Sequence, residues 1–156
     1  MNIQSYHVLR VDDYNLQFHS TGLNGNFELR IFFDKLYGSN EENVYNVGFG
    51  VWDDLLKCID DRIELNNGDT NKILATVAQA ALSFLETHPR AYLYVKGSTP
   101  SRTRKYQMGI ASYLWLLKDG YTVKGLINIQ DKGELAYHWE DFRVGINYEA
   151  FLLFNS

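Results

Sequence analysis

AYLYVKGSTPSRTRKYQMGIASYLWLL, residues Ala91–Leu117, runs from a short apolar strand through a Gly-Ser-Thr-Pro turn into an amphipathic helix. Tyr92–Val95 is compact and apolar, as a buried strand requires. Pro100 suits the first helical position, because its ring presets φ and its missing N–H has no intrahelical partner there anyway. From about Ser101 to Lys118, Tyr106, Ile110, Tyr113, Leu114 and Leu117 recur on one helical stripe, and Asp119-Gly120 supplies the exit. A strand held between two helices is expected to lie inside a sheet, with Gly97 and Ser98 delivered to the sheet edge.

The earlier of those two helices starts at Asn66-Asn-Gly-Asp-Thr70, where Asp69 or Thr70 can serve as N-cap. Ile73, Leu74, Val77, Ala78, Ala81, Phe84 and Leu85 follow at helical spacing until His88-Pro89, where the proline pushes its predecessor out of helical dihedrals. Upstream, Ser5–Val11, Asn15–Ser20, Asn26–Tyr37 and Asn43–Trp52 read as an antiparallel meander of strands. In the third, Phe27, Leu29, Ile31 and Phe33 share one parity and are expected to face the core. Asp53–Asn67 fits a short helix or a strand equally well. Downstream, Tyr121–Ile129, Gly133–Trp139 and Ala150–Phe154 read as strands. The expected fold is a single α+β domain over residues 1–156, a predominantly antiparallel mixed sheet with two main helices packed against it. A more open mixed α/β sheet is the alternative.

Composition narrows the function classes. A hydrophobic content of 46% with only two prolines excludes a disordered or collagen-like chain. No apolar run approaches the ~18 residues of a membrane span, so no membrane is expected as a partner. Cys58 is the single cysteine and cannot form an internal disulfide, and MNIQSYHVLR lacks the apolar core of a secretory signal, which points to a reducing cytoplasm. The net charge of −4 hides an asymmetry. Residues 90–132 carry eight Lys/Arg against Asp119 and Asp131, a local +6, whereas the rest of the chain carries seven against seventeen, or −10. That balance argues against a broad nucleic-acid surface and leaves room for a small anion site.

The chemistry concentrates in the same central stretch. Gly97 permits close backbone approach, Ser98 and Thr99 offer hydroxyls, and Arg102, Arg104 and Lys105 place cations in the opening turns of a helix whose amino end is already positive. With Thr99 as cap, Arg102 falls at the third helical position; with Ser101 as cap, Arg104 does. Either arrangement suits a bound anion. Its competitors are ion pairing of the arginines with the acidic first half and plain solvated charge. Arg104, deeper in the helix, is expected to be exposed, so that Arg104→Ala would be neutral or stabilising at low salt. The segment is neither a Walker motif nor a Rossmann fingerprint. Asp69 reads first as a cap and second as an accessory acid or base. His7, His19, His88 and His138 are scattered, and neither they nor Cys58 form a metal-ligand pattern, so no metal or cofactor is expected. His138 stands in the aromatic and acidic cluster Tyr137-His-Trp-Glu-Asp141.

The segments YNVGFG (Tyr45–Gly50), NNGDTNKILATV (Asn66–Val77), His88-Pro89, GSTPSRTRKY (Gly97–Tyr106) and YEAFLLF (Tyr148–Phe154) together resemble a bacterial family of small single-domain proteins, mainly from Bacteroidota, known only as a domain of unknown function. The resemblance spans nearly the whole chain. It implies an α+β fold and marks Gly68, Asp69, Thr76, Gly97, Ser98, Thr99, Arg102 and Tyr106, with no established activity. The expected function is a binding module with an anion site at Gly97, Ser98, Thr99, Arg102, Arg104 and Tyr106, taking a phosphate-bearing ligand or nucleic-acid phosphates. One alternative is a basic patch docking an acidic protein or a second copy. The other is an RNA- or phosphoester-acting enzyme using Asp69, Tyr106 or His138.

Overall fold

Alternation and turn chemistry set the first strands. A computed structural model describes residues 4–36, 43–60, 67–117, 119–131 and 133–156. Among these, two helices and nine strands form an α+β fold with a mostly antiparallel sheet. The residues gather into two compact units, Met1–Asp34 with Asn46–Phe84, and Lys35–Tyr45 with Leu85–Ser156.

In the first unit β1 (Leu9–Asp12), β2 (Asn15–Gly22), β3 (Gly25–Lys35) and β4 (Val44–Asp53) follow one another in space. β2 and β3 close a hairpin in which Phe18 opposes Leu29 and Gly22 opposes Gly25. Leu29, Ile31 and Phe33 are buried on the expected parity, and Phe33 stacks on Phe84 of α1 (Thr70–Thr87) with ring centroids 4.3 Å apart. On the other face of β3, Arg30 pairs with Glu28 at 3.0 Å and lies 4.2 Å over the Trp52 ring. The first strand is shorter than its sequence pattern, because Ser5 and Tyr6 bond to the helix instead: Ser5 Oγ donates to Gln79 and the Tyr6 N–H donates to Thr76 Oγ1 at 2.8 Å.

The ambiguity over Asp53–Asn67 resolves in part. Asp53 Oδ1 accepts the N–H groups of Leu55 and Leu56, Lys57 takes φ 55°, and the chain returns as β5 (Cys58–Asp60) against β4. Residues 61–66 lie outside those described, as do the last expected residue of the third strand, Tyr37, and Lys118 at the end of the second helix.

The second unit contains β6 (Tyr92–Val95), α2 (Pro100–Leu117), β7 (Tyr121–Asp131), β8 (Glu134–Asp141) and β9 (Ala150–Asn155), with strand order β6-β9-β7-β8. All three pairings are antiparallel, with Leu93 opposite Leu153 and Leu153 opposite Val123. Leu93, Phe151 and Val123 are buried on one side of this sheet. Leu114 and Leu117 of α2 line a shallow cavity of about 200 Å³ with Val123 and Phe142.

Candidate functional site

The turn before α2 is tied by its own residues. The Arg102 N–H donates to Thr99 Oγ1 at 3.2 Å and the Thr103 N–H donates to the Thr99 carbonyl at 3.0 Å, which makes Thr99 the N-cap, Pro100 the first helical residue and Arg102 the third. Buried Thr103 turns its hydroxyl back to accept the Gly97 N–H at 3.1 Å. A Cβ on Gly97 would stand 2.4 Å from the Thr103 nitrogen and 2.7 Å from the Arg102 carbonyl carbon, so only glycine lets strand and helix meet here. Arg102 Nη1 donates to Ser98 Oγ at 2.7 Å, folding the guanidinium over the turn. Ser98, Thr99, Pro100 and Ser101 are exposed, and the first turn of α2 holds no acidic residue. Tyr106 lies one turn after Arg102 on the same side of the helix and is half-buried.

Arg104 points elsewhere. Two positions on from Arg102, it sits on nearly the opposite side of the helix. Its guanidinium donates to Gln107 Oε1, to Asn147 Oδ1 at 3.2 Å and to the Tyr148 carbonyl. Gln107 adds a bond from its amide to the Ile146 carbonyl and accepts the Tyr148 N–H at 3.3 Å. The expected exposed arginine is therefore a half-buried brace across the loop that leads into β9, and among the described residues the acceptors it reaches are uncharged.

That loop positions Tyr148, which is fully buried with its ring over Gly125. Its hydroxyl donates to Glu140 Oε1 at 2.9 Å and accepts the Arg143 N–H at 3.0 Å. Arg143 Nη2 pairs with the same carboxylate oxygen at 2.9 Å. The Arg143 bond foremost, and the Tyr148 bond after it, hold the Glu140 carboxyl below the usual carboxylate range, while burial and then the Glu140 bond push the Tyr148 phenol up. A carboxyl whose folded pKa is depressed stabilises fully above its unfolded pKa and loses that contribution as pH falls through the folded value. Glu140→Gln is accordingly expected to flatten the acid side of the stability profile below about pH 4.5 while changing the profile above pH 6 by a constant offset. Urea melts at several pH values check this; an unchanged acid slope refutes it.

Asp69 belongs to the first unit. Its carbonyl accepts the Ile73 N–H at 2.9 Å, the backbone position of an N-cap. The side chain does something the sequence does not announce: Oδ2 accepts the Tyr6 hydroxyl at 2.5 Å and the hydroxyl of fully buried Ser20. Asn67 extends the network, donating to Ser20 Oγ at 3.1 Å and to the Gly25 carbonyl at 3.0 Å. Burial, then the Asp69 bond, raises the Tyr6 phenol pKa. This cluster ties the start of α1 to the hairpin. His138 stands on exposed β8 opposite Ile127. The structure thus gathers Gly97, Ser98, Thr99 and Arg102 around one turn, gives Arg104 a different neighbourhood and leaves Asp69 and His138 on other elements.

A family model matches residues 2–156. The chain belongs to DUF6934, a family of unknown function. No curated protein and no solved structure matches it. Family membership bears out the resemblance to a domain of unknown function and adds no activity to it. Among the described residues no three or more His, Cys, Asp or Glu side chains are grouped to hold a metal ion, and no helix is long and apolar enough to cross a membrane.

Proposed function

We propose that this DUF6934 domain is a binding module that takes a phosphate-type oxyanion at the Gly97–Tyr106 strand, turn and helix. The observation that carries the reading is the uncompensated charge of Arg104, whose guanidinium meets Gln107, Asn147 and the Tyr148 carbonyl but no carboxylate among the described residues. A cation held at neutral acceptors keeps its field, and that field adds to the positive amino end of a helix whose first turn carries no acid. Arg102 and the hydroxyls of Ser98 and Thr99 supply the direct contacts, with Tyr106 on the same side; Arg104, bound on the other side of the helix, supplies charge alone. A guanidinium and backbone N–H groups are suited to bind an oxyanion through parallel charge-assisted bonds. The ligand class is a phosphate-bearing small molecule or the phosphates of a nucleic acid. The lone Cys58, exposed and unpaired with another cysteine, and the family resemblance support a bacterial, cytoplasmic setting.

Calorimetric titration with inorganic pyrophosphate tests the reading. Arg102→Ala is expected to weaken binding about tenfold or more, the equivalent of one charge-assisted contact. Raising salt from about 50 to 500 mM should weaken the wild type as well, as screening requires. Equal affinity of wild type and variant would remove Arg102 from the site, and no binding at millimolar pyrophosphate would overturn the reading.

A further inference from the structure

The four-stranded sheet of the second unit has two unlike faces. One is the buried side of Leu93, Phe151 and Val123. Residues paired across antiparallel strands point the same way, so the pairings Tyr92 with Phe154, Tyr94 with Leu152 and Leu126 with Trp139 define the other face. Tyr92, Trp139 and Tyr137 stay 37%, 39% and 55% exposed. The rings cluster among themselves, Tyr92 and Phe154 at 4.8 Å and Tyr94 and Trp139 edge-on at 6.2 Å. Contiguous apolar patches of this kind are uncommon on monomers, and aromatic residues with few charges mark the centre of protein interfaces.

We infer that this open aromatic face is a self-association surface, which packs sheet to sheet against the same face of a second copy of this chain. The charge pattern selects the occupant. Within the paired stretch, the charged side chains on this face are Lys124 and Asp141, which oppose each other across β7 and β8 and bond at 2.5 Å. A nucleic acid needs cations free to replace the counterions of its phosphates, and the Lys124 ammonium is committed to a carboxylate. The face is therefore neutral on a chain of net charge −4, so it is where two like-charged copies can meet with least repulsion. Pairing through the exposed edge of β8 is disfavoured, because two antiparallel copies of Glu134–Asp141 would bring acidic ends together. A two-fold contact is satisfied by one self-complementary patch. Aligned sheets stack about 10 Å apart. The face offers about a dozen positions, roughly half of a standard interface, so association in roughly the micromolar range is expected.

Sedimentation equilibrium from about 5 to 500 µM in phosphate-free buffer tests this, bracketing the micromolar range. The wild type is expected to move from the 18.1 kDa monomer toward twice that mass. Tyr137→Lys and Asn128→Lys, which each place like charges across the two-fold, are expected to stay monomeric with unchanged far-UV dichroism. Met108→Lys, on the exposed side of α2, should dimerise as the wild type does. A wild type that remains monomeric overturns the proposal, as does undiminished dimerisation of both face variants. Trp fluorescence quenched by a short RNA in a wild type that stays monomeric would assign the face to nucleic acid instead.

Discussion

Gly125→Ala is expected to destabilise the protein by about 3 kcal/mol or more, at the upper end of what one added methyl costs in a packed core. A Cβ at this position in β7 would lie 2.3 to 2.5 Å from three atoms of the Tyr148 ring. The ring has nowhere to go: Tyr148 is fully buried, its hydroxyl is fixed by Glu140 and the Arg143 N–H, and its backbone is held by Arg104 and Gln107. Phe142 and Phe151 close the remaining sides at 5.4 and 6.2 Å between ring centroids. Gly48→Ala is the natural control, since the nearest atom to its Cβ is the Asn46 amide nitrogen at 3.9 Å. Urea denaturation of both variants should separate them by more than 2 kcal/mol, beyond the usual effect of an unobstructed substitution. A Gly125→Ala loss below about 1 kcal/mol would mean that the Tyr148 loop yields freely.

Arg104→Ala is expected to cost about 2–4 kcal/mol, because hydrogen bonds made by a charged group contribute about 1.5–3 kcal/mol each and three made by one residue are not additive. The loss falls on the loop from Phe142 to Tyr148 and so on the same Tyr148 pocket that Gly125 serves. Arg104→Lys keeps the charge but loses the planar fork, and an intermediate loss is expected. Lys105→Ala, exposed next door, should stay within about 0.5 kcal/mol of wild type. Neutral or raised stability of Arg104→Ala would reinstate the exposed arginine suggested by its position in the helix.

What could be read in advance follows the range of the interactions. The start of α1 at Asp69-Thr70, its stop before Pro89 and the strand, turn and helix from Tyr92 to Leu117 are local patterns of cap, spacing and proline, and they are found nearly where expected. The core parity of β3 is local too. The partners of Asp69, by contrast, lie 49 and 63 positions away, and those of Arg104 across the loop lie 43 and 44 positions away. Nothing in a helical periodicity can say which distant backbone an arginine reaches. Gly125 looked like any residue of an alternating strand, since the ring that needs its missing side chain comes 23 positions later. The segment from Phe142 to Tyr148 has no regular pattern, yet it supplies the carbonyls and the tyrosine around which the second unit is packed. Of the expected anion site, the turn from Gly97 to Arg102 was legible because capping chemistry is local, and the different heading of Arg104 was not.

Amide chemical shifts of the labelled protein, followed during titration with inorganic phosphate at low salt, test the central claim most directly. An oxyanion seated at the start of α2 must perturb Gly97 through Thr103 and the Arg102 side chain, leave the Asp69 and Ser20 cluster unmoved, and lose its effect in Arg102→Ala. Saturable shifts confined to that turn are the expected result. Shifts spread thinly over all lysines and arginines, or centred away from residues 97–103, would contradict the account.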